Sequence, residues 1–193
     1  IANFDLLLLL LVFGLNGIGI LNLGSAAGGE GLWKAQLYRF LISLLPFAVV
    51  IAINYSNFEK LAPLIYILSL LLLVGVLFFG RKIGGARSWY DLGFLRLQPS
   101  EFVKIAVILM IARVYHRYRG SVPWGLRELL IPLLIIALPV LSIMREPDMG
   151  TALIVVLFSG SMLLFIGVKR RIIVTAVIVG LVSFYPAWHW GLK

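Results

Sequence analysis

Four ionisable residues lie inside or directly beside long apolar runs of the sequence: Glu101, Lys104, Glu146 and Asp148. A charged side chain at the centre of a membrane span costs roughly 2.5 to 3.5 kcal/mol on insertion scales, so such residues usually face a cavity or pair with one another. They also tend to mark functional sites in membrane proteins. These four residues are therefore the first candidates for a site.

Glu101 and Lys104 are three residues apart, which places them on one face of a helix and within reach of each other. On a purely structural interpretation, the two residues form a local ion pair that only neutralises both charges. In Gln98-Pro99-Ser100-Glu101, the proline suits the first helical position and the glutamate complements the helix dipole. Capping explains the glutamate but leaves Lys104 in an apolar run, so we predict that the pair lines a cavity or acts in function.

A second pair of carboxylates, Glu146 and Asp148, flanks Pro147 where one apolar run ends and the next begins. Asp148 suits the N-cap of the following helix, and Pro147 favours an extended backbone at Glu146. Two carboxylates at such a tight corner could bind a divalent cation, hold a cationic partner such as Lys104 or Arg96, or raise each other's pKa. The sequence leaves these three alternatives open.

The segment from Gly84 to Gly93 combines glycines, two aromatic residues and alternating charges, which is typical of a re-entrant or interfacial loop. Trp89 and Tyr90 could simply anchor this loop in the membrane interface. Alternatively, Arg87 and Arg96 could hold a pyrophosphate group by forked hydrogen bonds while the aromatic rings contact sugar or lipid. Both interpretations place the loop at the membrane surface.

Apolar helices must position these residues, because 62% of the 193 residues are hydrophobic and the mean hydropathy is +1.06. Both values are far above those of a typical soluble domain. Helices satisfy their own backbone polar groups in lipid, and each span needs about 20 apolar residues. We therefore predict an all-α polytopic membrane bundle in one domain, residues 1–193, whose fourth and fifth spans are short and are packed inside or tilted. The seven predicted spans run from Phe4 to Leu23, Gln36 to Ile53, Leu61 to Phe79, Pro99 to Tyr115, Leu130 to Ile143, Gly150 to Gly167 and Ile172 to Tyr185.

The net charge of +9 comes from cations scattered in short loops, which form no continuous basic stripe, so we expect no nucleic-acid partner. Such cations are better explained as orientation signals and as contacts for membrane lipids with anionic head groups. The compact clusters His116-Arg117-Tyr118-Arg119 and Lys169-Arg170-Arg171 lie against span ends and favour a cytoplasmic side for their loops. The loop from Gly80 to Gln98 then faces outward. The sequence contains no cysteine, so thiolate chemistry is excluded.

Three segments together resemble the signature of the SEDS family of membrane proteins: residues 85–93, 96–104 and 146–151. They read Gly-Ala-Arg-Ser-Trp-Tyr-Asp-Leu-Gly, Arg-Leu-Gln-Pro-Ser-Glu-Phe-Val-Lys and Glu-Pro-Asp-Met-Gly-Thr. The tract from Trp89 to Lys104 is more similar to the RodA branch of the family, which acts in cell elongation, than to the FtsW branch, which acts in division. The resemblance follows the chain in span order and implies a fold of about ten spans, of which this sequence would supply the first part.

The resemblance implies a peptidoglycan glycosyltransferase that polymerises lipid II in the bacterial inner (plasma) membrane and works with a class B penicillin-binding protein. Such a transfer needs a general base for the acceptor hydroxyl and cations or a metal for the departing pyrophosphate. The aspartate assigned as catalytic in this family lies in a long extracellular loop after the seventh span. No position of this sequence matches it, so the resemblance places the expected base beyond Lys193. A divalent cation is the one cofactor that these residues could hold.

On this hypothesis Arg87, Arg96 and Lys104 contact the pyrophosphate, while Glu101 and Asp148 orient them or hold a divalent cation. We expect Lys104 to lie close to at least one of the two carboxylates, in a central cavity that opens outward, because each charge alone in the membrane would be costly. The other residues expected to line this cavity are Trp89, Gln98, Ser100 and Thr151.

Two other classes of function remain open at this point. A lipid II flippase or other transporter would suit a membrane cavity with buried ion pairs equally well, although the sequence shows no inverted repeat. A noncatalytic membrane scaffold is the third class, and it would tolerate Glu101→Ala or Asp148→Ala.

Overall fold

Seven helices form most of the protein in the computed structural model, which describes residues 5–26, 31–83, 86–91, 93, 96–118 and 123–186. This confirms the predicted helical membrane fold. Two compact units divide the chain after Asn54, so that the first two helices form one unit and the remainder forms the other. The helices are α1 Leu6–Ala26, α2 Leu32–Ala52, α3 Tyr55–Phe79, α4 Pro99–Arg117, α5 Leu126–Arg145, α6 Met149–Ile166 and α7 Arg170–Pro186.

Three short strands lie between α3 and α4: β1 Arg81–Ile83, β2 Ala86–Asp91 and β3 Arg96–Leu97. They form an antiparallel sheet in the order β1-β2-β3, and Asp91 pairs with Arg96 across its second ladder. The interfacial loop predicted from sequence is therefore a small sheet, although Gly84, Gly85 and Leu92 lie outside the described residues. Within β2, Arg87 is exposed and Ser88 is buried, while Trp89, Tyr90 and Asp91 are half-buried.

Five of the helices, α1, α2, α3, α5 and α6, are long and apolar enough to cross a membrane. Helix α4 contains Glu101, Lys104 and Arg113, and it buries seven residues inside the second unit, as expected for the fourth predicted span. Helix α5 is longer than predicted, with 20 residues. It begins at Leu126 because the Glu128 carboxylate accepts the backbone N–H of the preceding Gly125 at 2.7 Å and so caps the first turn.

In the first unit, α1 and α2 pack against each other through Phe13 and Phe40, whose rings meet edge to face with centroids 5.3 Å apart. Helix α1 starts where the Asp5 carboxylate accepts the backbone N–H of Leu8 at 3.0 Å. Both helices expose large apolar side chains along their length, which suits a lipid environment.

The core of the second unit lies between α3, α4, α5 and α6. Branched residues of α4 fill its centre, where Val103, Val107 and Ile111 are at most 1% exposed. Leu73 of α3 and Val155 of α6 meet them and are fully buried. Helix α4 is therefore the central helix of this unit, and its first turn is fixed by neighbours on several sides.

The one proline inside α3 frees a backbone carbonyl that a neighbouring helix then satisfies. Pro63 has no N–H, so the carbonyl of Glu59, four residues earlier, lacks its helical donor. The guanidinium of Arg113 in α4 donates to that carbonyl at 2.7 Å and to the carbonyl of Lys60 at 2.9 Å. Arg113, near the end of α4, thus has a structural partner on α3.

The same arrangement recurs between α5 and α3. Pro139 leaves the carbonyl of Ile135 without a helical donor, and the buried hydroxyl of Tyr66 donates to it at 3.0 Å. In lipid no water could replace this donor, so each such bond ties two helices together.

The hydroxyl of Tyr66 should stabilise the protein only while Pro139 is present. Tyr66→Phe should lower the free energy of unfolding by about 1 to 3 kcal/mol, because it leaves a buried carbonyl unsatisfied. In a Pro139→Ala background the restored N–H of residue 139 can serve that carbonyl, and the same substitution should cost much less. Unfolding of all four proteins by SDS titration in mixed micelles measures this coupling. Equal costs in the two backgrounds would contradict the assignment.

Candidate functional site

Asp148 joins the amino-terminal ends of α6 and α4. Its Oδ1 accepts the backbone N–H of Thr151 at 3.1 Å, which makes it the N-cap of α6 as predicted. Its Oδ2 accepts the Thr151 hydroxyl at 2.7 Å and the amide Nε2 of Gln98, the residue before α4, at 3.3 Å. Three predicted site residues, Gln98, Asp148 and Thr151, therefore lie in direct contact.

Glu101 and Lys104 form an ion pair one turn into α4, with 2.7 Å between Nζ and Oε2. Lys104 thus lies close to Glu101, as its spacing predicted, but it makes no ion pair with Asp148 among the described residues. The glutamate side chain is 57% exposed and the lysine 24%. Because the glutamate is largely exposed, the pair contributes only about 0 to 1 kcal/mol to stability.

Glu146 is the most unusual group at this end of the protein. It is 0% exposed, and neither of its carboxylate oxygens has a hydrogen-bond partner in the described structure. Pro147 predicted an extended backbone at Glu146, but this prediction is wrong, because the residue has φ −85° and ψ 10°. The reason is that the N–H of Glu146 donates to the carbonyl of Ile143 at 2.9 Å, which prolongs the last turn of α5 and directs the side chain inward.

Burial raises the pKa of Glu146 from its ordinary 4.5 to about 7, and the negative charge of Asp148 adds to the rise. The hydroxyl of Ser88 in β2 opposes this rise by its proximity, although its geometry falls short of a full hydrogen bond. Of the three roles left open for the two carboxylates, the structure therefore favours a raised pKa at Glu146, caused first by burial and further by the charge of Asp148.

Tyr90 anchors the sheet onto α3 beside this buried acid. Its hydroxyl donates to the carbonyl of Leu72 at 3.0 Å. Gly75 makes this contact possible, since a Cβ atom there would lie only 2.7 Å from the tyrosine oxygen. The pKa of Tyr90 is raised, first by burial and then by the charge of Glu146. Sequence reasoning treated Tyr90 as an interface anchor and did not select Ser88, which is 2% exposed.

The arginines of the sheet are less concentrated than the pyrophosphate hypothesis suggested. Arg87 donates to the carbonyl of Leu77 at the end of α3, at 3.4 Å. The sequence-based selection omitted Arg81, which forms an ion pair with Asp91 at 2.6 Å. A hydrogen bond from the Gly93 N–H lowers the pKa of Asp91, and the charges of Arg81 and Arg96 act in the same direction.

A surface pocket of about 550 Å³ lies beside this ion pair and is lined by Phe79, Arg81, Asp91 and Gly93. Arg81 and Arg96 are exposed, so their unused N–H groups could still reach an anion at the surface of the sheet. Trp89 is half-buried, and Ser100 at the start of α4 is fully buried with no hydrogen-bond partner for its hydroxyl in the described structure.

Glu101 and Asp148, the two candidates for a divalent cation, each have other partners in the structure. Glu101 is neutralised by Lys104, and the carboxylate of Asp148 already accepts three hydrogen bonds. Among the residues that the structure describes, no three histidine or acidic side chains lie close enough together to hold a metal. We therefore assign no step to a metal ion.

The catalytic base that the sequence motifs imply is not among the residues brought together here. The resemblance placed it beyond Lys193, and Lys193 itself, with residues 187–192, lies outside the described residues. The expectation of a base after this position therefore stays a prediction. The polar groups described above are the site residues that the described part of the chain brings together.

The fold and this polar cluster define a polytopic helical membrane protein whose ionisable groups gather at one end of the bundle. Residues 2–189 match the family model FTSW_RODA_SPOVE, described as cell cycle protein. The chain belongs to this FtsW/RodA/SpoVE family, which is the SEDS family indicated by its sequence motifs.

Relatives in several bacteria share the family. The chain is 36% identical to the peptidoglycan glycosyltransferase MrdB of Escherichia coli (strain K12), across 96% of this chain and 50% of that protein. It is 32% identical to the peptidoglycan glycosyltransferase RodA of Treponema pallidum (strain Nichols), across 98% of this chain and 46% of that protein. The chain thus spans about half the length of the curated relatives it matches.

Solved structures have the same arrangement of helices. One is a chain of a peptidoglycan synthase complex that coordinates polymerization and crosslinking, with a TM-score of 0.87, 30% identity, and coverage of 99% of this chain and 56% of that one. Another is the rod shape determining protein RodA of Thermus thermophilus, with a TM-score of 0.82, 30% identity, and coverage of 93% and 60%.

The buried acid should make stability depend on pH. Below about pH 4.5 Glu146 is protonated in both the folded and the unfolded state and contributes nothing. As pH rises towards 7 the unfolded state loses the proton first, so stability falls, by up to about 3 kcal/mol above pH 7. Glu146→Gln should therefore match the wild type at pH 5 and exceed its Tm by several degrees at pH 8.5.

Differential scanning fluorimetry in detergent from pH 4.5 to 9 measures this difference. Glu101→Gln, which neutralises an exposed carboxylate on the neighbouring helix, is the matched control and should keep the wild-type slope. A Glu146→Gln protein with the wild-type slope would show that Glu146 does not hold the proton.

Proposed function

We propose that this chain forms part of a peptidoglycan glycosyltransferase of the bacterial inner membrane, which polymerises lipid II into glycan strands for cell elongation. The observation that carries the proposal is the 36% identity with MrdB of Escherichia coli over 96% of this chain. The likeness to a chain of a peptidoglycan synthase complex supports a class B penicillin-binding protein as the partner.

The polar end of the second unit offers the chemistry that binding of a lipid pyrophosphate needs. Lys104 is a cation on an apolar helix, and its partner Glu101 is exposed rather than locked inside. Asp148 holds the start of α6 against the start of α4 through Gln98, so that it positions Lys104 instead of reacting. We place this end, with the sheet, on the outer side of the membrane, as the loop charges indicate.

The general base is left unassigned among these 193 residues. Asp148 is a helix cap with three hydrogen bonds, and Glu146 is fully buried, so neither is placed to accept a proton from an acceptor sugar at the surface. The resemblance to SEDS proteins puts the base in an extracellular loop beyond Lys193, which no position of this sequence matches.

Polymerisation from purified lipid II tests the proposal directly. The natural polypeptide that contains this chain, reconstituted in vesicles with a class B penicillin-binding protein, should convert lipid II into glycan strands that can be resolved on a gel. Vesicles in which lipid II crosses the bilayer without any polymer would overturn the proposal in favour of a flippase. Vesicles with neither activity would favour the scaffold.

Lys104 should be needed for the reaction rather than for stability. Lys104→Met should lower the rate about 100-fold or more, because a cation that stabilises a departing anion is worth that much in other enzymes. Its Tm should stay close to that of the wild type, because an exposed ion pair contributes little. Lys60→Met removes an exposed cation near the start of α3, at the end of the unit opposite Lys104. This variant is the control, and it should polymerise lipid II at the wild-type rate.

The double variant Glu101→Gln/Lys104→Met separates the two interpretations of the ion pair. A pair that only neutralises its own charges would be replaced by two neutral side chains, and the double variant would regain activity. A lysine that contacts the pyrophosphate cannot be rescued in this way, so the double variant should be as inactive as Lys104→Met. Recovery of polymerisation would assign the pair to structure alone.

A further inference from the structure

The end of the second unit opposite Asp148 is fixed by the loops that precede α5 and α7. The N–H of Trp124 donates to the carbonyl of Gly167 at 2.9 Å, and the N–H of Lys169 donates to the carbonyl of Trp124 at 3.1 Å. The indole is fully buried, with the rings of Tyr115 and Tyr118 at centroid distances of 6.0 and 6.5 Å. The first turns of α5 and α7 are therefore held side by side.

A cationic pocket of about 380 Å³ lies between these two first turns. Its charged lining consists of Arg127, Lys169 and Arg171 against one carboxylate, Glu128. None of the three cations lies within ion-pair distance of a carboxylate among the described residues, but the charges of Lys169 and Arg127 attract Glu128, which also accepts the N–H of Gly125. The positive ends of two helix dipoles add to the attraction for an anion.

An apolar groove of about 640 Å³ continues directly from this pocket between α5, α6 and α7. Leu126 and Ile172 line both, so no wall separates them. Further along, the groove is lined only by apolar residues and glycine, and Ile172 is the one described residue of α7 that packs against the core. The residues deeper in the groove include Leu133, Val156, Leu157, Gly160, Leu164 and Val177.

We propose that this pocket and groove together bind one anionic phospholipid, with the head-group phosphate on Lys169, Arg171 and Arg127 and an acyl chain along the groove. Net positive charge at the pocket favours a lipid with a net negative head group over a zwitterionic one. The apolar groove favours a lipid over a free phosphate ion, because only a lipid has an acyl chain that can bury apolar surface there. The site is separate from the polar end at Asp148 and does not depend on the proposed polymerisation.

Native mass spectrometry of the detergent-purified natural polypeptide tests the site. With equal amounts of phosphatidylglycerol and phosphatidylcholine of the same acyl chains, the wild type should retain phosphatidylglycerol at least fivefold more often, since cations next to the membrane attract anionic lipids. Soluble glycerol phosphate in excess should not displace it. Equal retention of both lipids would overturn the proposal, and so would displacement of the lipid by glycerol phosphate. The absence of any retained lipid would also overturn it, and this is the result expected if another segment of the polypeptide covers the groove.

Charge variants locate the head group. Lys169→Gln/Arg171→Gln should lower retention of phosphatidylglycerol about tenfold, to the level of phosphatidylcholine. The matched control is Lys60→Gln/Arg117→Gln, which removes two exposed cations at the same end that do not line the pocket, and it should retain the lipid as the wild type does. Equal losses of phosphatidylglycerol in the two double variants would mean that retention depends on the net charge of this end and not on the pocket.

A groove variant locates the acyl chain. A Cβ atom at Gly160 would meet no other atom within 4 Å, so Gly160→Trp can fill the groove without a clash at its first carbon. It should weaken retention of phosphatidylglycerol severalfold, while Gly14→Trp in α1, at an equally open glycine, should not. Unchanged retention in Gly160→Trp would show that the groove is not the site of the acyl chain.

Discussion

Backbone carbonyls that a proline leaves without a helical donor determine how the second unit is put together. In a helix surrounded by lipid, no water can donate a hydrogen bond to such a carbonyl, and leaving it unsatisfied costs free energy of folding. Pro63 frees the carbonyl of Glu59, and Arg113 satisfies it from the next helix; Pro139 frees that of Ile135, and Tyr66 satisfies it. These bonds connect α3 to both α4 and α5. Apolar packing alone could let the helices slide, whereas a donor aimed at one carbonyl fixes both the position and the rotation of each helix.

The fixed bundle gives its two ends different chemistry. At one end, α4 and α6 begin side by side, Asp148 links them, and the sheet lies above with Tyr90 anchored on α3 beside buried Glu146. At the other end, the bridge between Trp124 and Val168 holds the starts of α5 and α7 together beside a pocket lined by three cations and one carboxylate. Glu146 and Asp148 therefore lie at the end to which the proposed reaction is assigned, and the cations of the opposite end lie where an anionic membrane surface would attract them.

Sequence reasoning recovered the helices, the cap at Asp148 and the pair of Glu101 with Lys104, because each depends on residues only a few positions apart. It could not recover the sheet, since a strand of six residues with glycines beside it resembles a loop. It also could not assign Arg113 and Tyr66, whose partners are 54 and 69 residues away. Glu146 was noticed as a costly charge, but only the packing of Ser88 and the inward turn of its backbone revealed that it is buried.

The proposed function requires that the end with the sheet faces outward, and site-directed cysteine labelling measures this most directly. The sequence has no cysteine, so Arg87→Cys in the sheet and Arg117→Cys at the end of α4 each introduce a single reactive thiol in this part of the protein. In spheroplasts, a membrane-impermeant maleimide should label residue 87 and should label residue 117 only after lysis. Labelling of residue 117 but not residue 87 in intact spheroplasts would contradict the orientation, and with it the assignment of the polar end as the place where lipid II is polymerised.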